Sequence, residues 1–230
     1  MPTIWKAEEI HKSIEQFKRV KDKNAELIII DNTHSDFHDN DSRIIVVKCS
    51  NNIFVNPAWN LGVKLAKNKY ICLINDDIYF NYVTLFNNFL KFINQDPNFG
   101  LIGYNENARL RDNSVIINND EDELILVDTT GIVPFGYGCC IFLKKEDYFE
   151  IYDECKIFYG DTILIVSIVD IKRKRMYYID NLISIGRISV SSDDYPKNME
   201  TDEISFYKQY KIIKKLWKTA KLLFVYLENK

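Results

Sequence analysis

Short apolar runs separated by charged and polar segments recur along the whole chain of 230 residues. Runs of four or five apolar residues bounded by polar ones are typical of strands that are buried on both faces of a sheet. Other segments place apolar residues three and four positions apart, which predicts amphipathic helices. Because these helices alternate with the strands, the pattern predicts an α/β sheet with parallel strand pairs.

The same pattern gives the expected bounds of the elements. The predicted strands cover residues 26–30, 44–47, 70–74, 99–103, 124–127, 139–143 and 176–185. The predicted helices cover residues 7–20, 56–66, 83–93, 144–153 and 206–227. Three further segments are expected to be irregular: a polar excursion at 105–122, a glycine-rich loop at 131–138 and a polar stretch at 186–205. On the 83–93 helix, the residues expected to face the core are Phe86, Phe89, Leu90 and Ile93.

The third predicted strand ends in the strongest chemical signal of the chain. Tyr70 to Ile74 run directly into Asn75, Asp76 and Asp77, and ligands of open α/β sheets bind beyond the carboxyl ends of strands. Two adjacent carboxylates repel each other unless a cation or hydrogen-bond donors offset the charge. Hard oxygen ligands of this kind suit Mg²⁺ or Mn²⁺ shared with substrate phosphates. These residues alone fit either a metal site or a solvated turn after a strand.

Two other carboxylates stand at comparable positions. Asp31 follows the strand at 26–30, and Asp161 follows the aromatic and glycine residues Phe158 to Gly160. Either carboxylate fits a ligand site. Asp31 also fits a turn or a helix cap, and Asp161 fits a cap if the apolar stretch after it is helical.

Composition narrows the class of protein. The net charge is -3, so no overall basic field argues for nucleic acid as a partner. The five cysteines are odd in number and form no CxxC pair, which indicates reduced thiols and a reducing, cytoplasmic compartment. The amino-terminal residues lack the apolar region of a signal peptide, and no apolar run approaches the length of a transmembrane helix.

The last predicted helix is basic and amphipathic, since lysines recur between apolar residues at helical spacing. Such a helix can lie on an anionic membrane surface with its lysines at the headgroups, or bind a second copy of the chain. Alternatively, its apolar stripe packs against the rest of the protein, as a stripe of this width ordinarily does. We therefore divide the chain into a domain at 1–204 and an amphipathic helix at 205–230.

Taken together, several segments resemble the nucleotide-diphospho-sugar glycosyltransferases of the GT-A fold, most of all the family 2-like group. In chain order they are Pro2-Thr3, Glu26 to Asn32, Asn56 to Ala66, Tyr70 to Asp77, and Gly136 to Leu143 followed by Phe158 to Asp161. They resemble the end of the family's first strand, its nucleobase-binding strand, its Asn-x-Gly-x-x-x-Ala segment, its metal-binding strand end, and its acceptor loop with the catalytic base. The resemblance implies a Rossmann-like α/β fold with a mixed, mostly parallel sheet flanked by helices.

The resemblance also implies a role for each matching residue. Asp161 would be the general base that deprotonates an acceptor hydroxyl. Asp77, together with Asp76, would bind the Mn²⁺ or Mg²⁺ that bridges the diphosphate. Contacts to the nucleotide-diphospho-sugar donor would come from Thr3, Asp31, Asn32, Asn60, Asn75 and Asp76. The implied enzyme is an inverting glycosyltransferase of hexosyl or deoxyhexosyl type, whose acceptor is the hydroxyl of a glycan, a lipid-linked or a protein-linked group.

Two other functions remain open at the level of sequence. A sugar-phosphate nucleotidyltransferase would share the fold, but the chain lacks the glycine-rich amino-terminal phosphate loop of that class. A non-catalytic module that binds nucleotide sugars or glycans within a larger assembly is the other alternative. In the family that the chain resembles, a strand precedes Pro-Thr, whereas here only Met1 stands before Pro2.

Overall fold

The computed structural model describes residues 1–6, 8–104, 126–128, 140–179, 185–186 and 196–228. The polar excursion predicted at 105–122 and the glycine-rich loop predicted at 131–138 lie outside the described residues. None of the described helices combines the length and the apolar character that a membrane span needs. Each cysteine among the described residues is a free thiol.

The described strands and helices follow the predicted alternation. The strands are β1 Pro2–Thr3, β2 Leu27–Asp31, β3 Ile44–Lys48, β4 Tyr70–Ile74, β5 Ile78–Tyr79, β6 Phe99–Tyr104, β7 Leu126–Asp128, β8 Cys140–Lys144, β9 Arg175–Ile179 and β10 Ile185–Gly186. The helices are α1 Glu9–Lys18, α2 Val55–Leu65, α3 Tyr82–Gln95, α4 Gly160–Ile165 and α5 Pro196–Glu228. Helix α4 continues into a π-helical turn at Val166–Ile171.

The strands form two larger sheets and one small ribbon. Strands β1, β2 and β3 form a parallel sheet in that order. The second sheet has the order β4-β8-β6-β9-β7 and is mixed, because only β6 and β9 run parallel. Strands β5 and β10 form an antiparallel ribbon. The prediction of an α/β fold with mixed sheets flanked by helices and a carboxyl-terminal helix is confirmed.

The helices cover both faces of the strands, and the described apolar residues form two large cores and a smaller cluster around Ile28, Ile30 and Ala58. On one face, Ile10, Ile14 and Phe17 of α1 pack with α3. On the other face, Trp59 and Val63 of α2 pack with α4 and with α5. Strand β8 shows the period of two that this arrangement requires. Its alternate residues enter alternate cores, Cys140 and Phe142 in one and Ile141 and Leu143 in the other.

A cavity of about 620 Å³ lies between the two larger sheets. Its walls include five consecutive residues of β4, Tyr70 to Ile74, and the neighbouring residues Leu27 and Ile28 of β2. Since side chains alternate between the faces of a strand, a cavity that touches consecutive residues runs along the strand's edge. Residues of α2 close the cavity on one side, and residues of α1 and α3 close it on the other. The cavity therefore occupies the position of a strand between β2 and β4.

Two predicted secondary-structure assignments are wrong. Residues 144–153 were expected to form a helix, but only a 3-10 turn at Lys145–Asp147 forms there. Asp147 binds the ammonium groups of Lys172 and Lys174 at 3.0 and 2.6 Å, and the backbone becomes extended at Tyr148, with φ -60° and ψ 134°, which ends the turn. Residues 186–205 were expected to be irregular, whereas α5 already begins at Pro196.

Two side chains also differ from the predicted pattern. Leu90 was expected to face the core, but it is 52% exposed. Asn56 was expected to cap the helix that follows it, yet α2 begins at Val55 and Asn56 is fully buried inside its first turn. Its side chain reaches instead towards the segment before α4.

Candidate active site

Asp76 joins the ends of β1 and β4. The Thr3 hydroxyl and the Ile4 backbone N–H both donate hydrogen bonds to its carboxylate. Burial raises the pKa of Asp76 above its usual range, and those two hydrogen bonds, a third from its own backbone N–H and the nearby amino group of Met1 only partly oppose the shift. Thr3 is itself buried and pairs in register with Asp31 of β2. The structure thus brings Thr3, Asp31 and Asp76 to one end of the strands, and their ligand-binding roles stay predictions.

Asn75 and Asp77, which flank Asp76, are half-buried, and the Oδ1 atom of each is buried. Among the described residues, the Asn75 Oδ1 atom has no hydrogen-bond partner. A buried oxygen without a partner costs about 1–3 kcal/mol, and a cation or a ligand would remove that cost. Within the same residues, no group of three or more His, Cys, Asp or Glu side chains comes together. The oxygens of residues 75–77 therefore fit Mn²⁺ or Mg²⁺ if phosphate oxygens supply the remaining ligands.

Asp31 is fully buried at the end of β2. Thr33 donates its backbone N–H and its hydroxyl to Oδ1, both at 2.9 Å. Ser35 does the same for Oδ2, at 2.7 and 2.6 Å. Burial alone would raise the pKa of Asp31, but these hydrogen bonds outweigh it and lower the pKa to about 2. The carboxylate is therefore ionised at neutral pH.

Asn32 and Asn60, two of the predicted donor contacts, have structural partners. The Asn32 Oδ1 atom accepts from the backbone N–H of Ile53 at 3.1 Å. Asn60 donates to the Ile151 carbonyl at 2.6 Å and accepts from the Ile151 N–H and the Tyr148 hydroxyl. Asn60 thus holds the segment at 148–151 against α2. The donor-binding role of both residues stays a prediction.

Asp161 lies in the first turn of α4 and is half-buried. Its Oδ1 accepts from the backbone N–H of Thr162 at 2.8 Å. Carboxylates are favoured in the first turn of a helix, where backbone N–H groups are unpaired. Tyr159 and not Asp161 occupies the cap position of α4, and its side chain makes no capping hydrogen bond within the described part of the chain. The role of Asp161 as the base stays a prediction.

The residue before Asp161 packs directly on α2. A Cβ atom on Gly160 would lie 2.1 Å from the Asn56 Oδ1 atom and 3.1 Å from the ring of Trp59. Asn56 is also tied to the segment before α4, because its Nδ2 donates to the Phe158 carbonyl at 2.9 Å. The segments containing Asn56 and Asp161, which resemble the family separately, therefore meet in space.

Tyr159 has a strained backbone next to this contact. Its φ is 61°, in the left-handed region that non-glycine residues rarely adopt. Such a conformation costs about 1–3 kcal/mol and persists only where the surroundings impose it. Its ring stacks on Phe206 of α5 with the centroids 5.1 Å apart.

Sequence reasoning missed Asp202, the residue that holds the segment before α4. Asp202 is fully buried, and its carboxylate accepts from the backbone N–H groups of Lys156, Ile157 and Phe158 at 2.7–2.8 Å. It stands in a polar run without apolar periodicity, so the sequence pattern carries no signal for its burial.

The candidate site lies apart from the cavity between the sheets. The residues that line the cavity do not include Thr3, Asp31, Asp161 or the segment 75–77. The cavity and the candidate site are therefore separate features of the described part of the chain.

Several solved structures share this fold. The structure of residues 1–349 of TarS from S. aureus superposes with a TM-score of 0.57 at 12% identity, over 89% of this chain and 63% of that chain. The mannosyltransferase PcManGT from Pyrobaculum calidifontis, in complex with GDP-Man and Mn²⁺, gives a TM-score of 0.61 at 13% identity, over 91% and 62%. GalNAc-T7 with UDP, GalNAc and Mn²⁺ gives 0.51 at 10% identity, over 76% and 40%. The chain thus matches less than two thirds of the length of each of these neighbours.

A comparison with protein families identifies the chain more directly. No curated protein sequence gives a significant match. The sequence profile described as glycosyl transferase family 2 matches residues 1–151, which include the strand ends and the carboxylates at 31, 76 and 77. This match covers more than half of the chain, and the neighbours in structure share the fold. The chain belongs to glycosyl transferase family 2.

Proposed function

We propose that this chain is a metal-dependent, inverting glycosyltransferase. It moves a hexosyl or deoxyhexosyl group from a nucleotide-diphospho-sugar to a hydroxyl of a glycan, a lipid-linked or a protein-linked acceptor. The observation that carries the proposal is the position of Asp76 and Asp77 at the carboxyl end of β4, where Asp76 bonds to Thr3 at the end of β1. Two adjacent carboxylates beside an unpaired amide oxygen suit a cation that is shared with a diphosphate.

Each residue has a separate task in this proposal. Asp77 and Asp76 would hold Mn²⁺ or Mg²⁺, which neutralises the charge that develops on the leaving diphosphate. The side chains that bind and orient the donor are Thr3, Asp31, Asn32, Asn60, Asn75 and Asp76.

Asp161 acts on the acceptor. Its carboxylate takes the proton of the acceptor hydroxyl as the hydroxyl oxygen attacks the anomeric carbon. The new bond joins that oxygen to the anomeric carbon, while the bond from this carbon to the diphosphate oxygen breaks. The nucleoside diphosphate leaves with the electron pair, and attack opposite the leaving group inverts the anomeric configuration.

The neighbours in structure support the class of donor. PcManGT is a complex with GDP-Man and Mn²⁺, and TarS structures contain UDP and UDP-GlcNAc. These proteins share the fold at 13% identity, so they support a nucleotide-diphospho-sugar in general. The sugar and the base of the donor are not part of the proposal.

A second candidate function is a non-catalytic module that binds nucleotide sugars or glycans. The contacts of Asp31 and Asn60 do not separate it from the enzyme, because both functions require the donor to bind. Turnover of a donor distinguishes the two functions.

The proposal is tested by calorimetric titration of UDP and GDP with Mn²⁺ and then with EDTA. We expect binding of one nucleotide with Mn²⁺ and at least a tenfold weaker affinity with EDTA, because the cation bridges protein and diphosphate. Asp77→Asn should weaken binding to a similar degree, whereas the exposed Asp36→Asn should bind like the wild type. Equal affinities with and without the cation would contradict the metal-dependent mechanism. Binding without release of UDP from UDP-GlcNAc or of GDP from GDP-mannose would favour the second candidate.

A further inference from the structure

The carboxyl-terminal helix α5 carries a buried carboxylate that accepts hydrogen bonds from three consecutive backbone N–H groups. Asp202 is 0% exposed. Its Oδ1 accepts from Lys156 at 2.8 Å, and its Oδ2 accepts from Ile157 at 2.7 Å and from Phe158 at 2.8 Å. Successive N–H groups that converge on one anion form a nest, a tight arrangement that the anion itself maintains. Asp202 therefore sets the backbone path of residues 156–158.

Other groups bind the same segment from the opposite side. The Phe158 carbonyl accepts from the Asn56 side chain at 2.9 Å and from the Cys155 thiol at 2.9 Å. Both the N–H and the carbonyl of Phe158 are thus fixed, one by α5 and the other by α2. The two peptide planes on either side of Phe158 therefore each have little freedom to rotate.

A second side chain of α5 holds the preceding residues. The Gln209 Oε1 atom accepts from the Tyr152 N–H at 3.2 Å, and its Nε2 donates to the Glu150 carbonyl at 2.8 Å. Phe206, between Asp202 and Gln209 on the helix, stacks on Tyr159. Helix α5 therefore contacts the chain from residue 150 to residue 159 at three successive points.

This segment leads directly into the candidate base. Phe158 precedes the strained Tyr159, and Gly160 has no space for a side chain against Asn56. Only these two residues separate the fixed peptide of Phe158 from Asp161. A shift of the backbone at 156–158 would therefore displace the Asp161 carboxylate, and displacements of about 1 Å can lower reaction rates by about 10²-fold.

We propose that Asp202 is a positioning residue for the transfer reaction, and that it acts through Asp161. The inference rests on the proposed function, because it assigns Asp202 to the orientation of the base. Asp202 touches neither donor nor acceptor in this scheme. It fixes residues 156–158 so that the Asp161 carboxylate faces the acceptor hydroxyl.

Asp202→Asn tests the proposal, because the amide has nearly the same size but one acceptor oxygen fewer. The new NH₂ group would face backbone N–H groups and break at least one of the three hydrogen bonds. Amide hydrogen exchange at residues 156–158 should become at least tenfold faster. The turnover number for UDP-GlcNAc or GDP-mannose, whichever the wild type uses, should fall at least tenfold, while the affinity for UDP or GDP with Mn²⁺ stays within twofold. Glu200→Gln is the matched control, because it also removes one negative charge from α5 but at an exposed position. It should alter none of these quantities.

The double variant distinguishes positioning from a general loss of stability. Asp161→Asn alone should keep nucleotide affinity and lose about 10²-fold or more in transfer. If Asp202 acts through Asp161, adding Asp202→Asn should cause no further loss of turnover, because the two effects are coupled. Faster exchange at 156–158 with unchanged turnover overturns the inference, and so does an independent, multiplicative loss in the double variant. A wild type that releases nucleotide from no member of a panel of UDP-, GDP- and dTDP-sugars overturns the proposed function itself, and the inference falls with it.

Discussion

The carboxylate of Asp31 is surrounded by donors of its own loop. Thr33 and Ser35 each give it a backbone N–H and a hydroxyl. An ionised carboxylate offers about four acceptor positions, so these four hydrogen bonds fill it. A nucleobase would reach Asp31 only by displacing some of them, and its donor-binding role stays a prediction.

Removing the two hydroxyls with Thr33→Ala and Ser35→Ala together is expected to lower the free energy of unfolding by about 1–2 kcal/mol near neutral pH. The pKa of Asp31 is about 2 in the folded protein and ordinarily 3.8. A group with a depressed pKa stabilises the fold fully above its unfolded pKa and loses that contribution as the pH falls through the folded pKa. The deficit of the variant should therefore shrink between about pH 4 and pH 2. Urea denaturation at a series of pH values measures it.

Thr33→Ser is the matched control, because serine keeps a hydroxyl at the same position. It should unfold like the wild type to within about 0.5 kcal/mol. If the double alanine variant remains less stable than the wild type by the same free energy down to pH 2, the hydroxyls stabilise the loop without acting on Asp31.

The position of a single residue in the fold could be predicted where its neighbours in the sequence form a recognisable element. Asn75, Asp76 and Asp77 follow a strand directly, so their place at a strand end could be predicted from order alone. Asn60 contacts Tyr148 and Ile151, which lie 88 and 91 positions further along the chain. Its partners depend on how α2 packs, which no local pattern specifies.

At the scale of elements, α5 shows why its first ten residues were not predicted. Its buried positions include Asp202, Ser205 and Gln209, which are polar. Asp202 and Gln209 are polar, and they can be buried because both form hydrogen bonds with backbone groups of residues 150–158. A search for apolar periodicity finds only the later part of such a helix. The longer strands β2, β4, β6 and β8 were predicted because burial on both faces gives them continuous apolar runs, whereas the two-residue strand β5 was not.

The packing of α5 also bears on its predicted docking role. Phe206 and Ile213 are buried, and Phe206 belongs to the core that contains Trp59 and α4. As far as Ile213, the inner face of the helix is thus occupied by the rest of the protein, as one of the two sequence interpretations expects. Contact of the outer face with a membrane or a second copy of the chain stays a prediction. The division of the chain at residues 204 and 205 falls inside this helix.

Two adjacent aromatic residues of α5 allow a matched comparison. Phe206→Ala should lower the free energy of unfolding by about 3 kcal/mol, because a buried ring is lost and a cavity remains. Tyr207→Ala should cost at most about 1 kcal/mol, since Tyr207 is 50% exposed. Urea denaturation of both variants at neutral pH measures these two losses of unfolding free energy. If the two variants lose the same unfolding free energy, α5 contributes little to the core in solution.

At the scale of the whole molecule, the two larger sheets present facing edges. Strand β1 pairs with β2 at Ile30 and Asp31, and the Met1 amino group donates to the Ile28 carbonyl. The cavity runs along the part of the β2 edge that precedes this contact. The opposite wall is the edge of β4 that faces away from β8. Unpaired strand edges and apolar walls both favour an added strand. Leu90, which is 52% exposed, lines this cavity. A strand placed in the cavity would therefore cover it.

A strand placed in the cavity should stabilise the protein. We expect that six alternating Val and Ile residues fused before Met1 will extend β1 along β2 and reach β4, because parallel strands buried on both faces are rich in these residues. Burial of their side chains and the new ladder hydrogen bonds should raise the melting temperature by roughly 5–10 °C, which corresponds to about 2–3 kcal/mol for a chain of this size. An extension of equal length with Pro at every second position is the control, since Pro cannot donate to a ladder. Thermal unfolding followed by circular dichroism compares the two proteins with the wild type. If the Val and Ile extension melts no higher than the Pro control, the cavity does not accept a strand, and the edges of β2 and β4 must be separated in some other way.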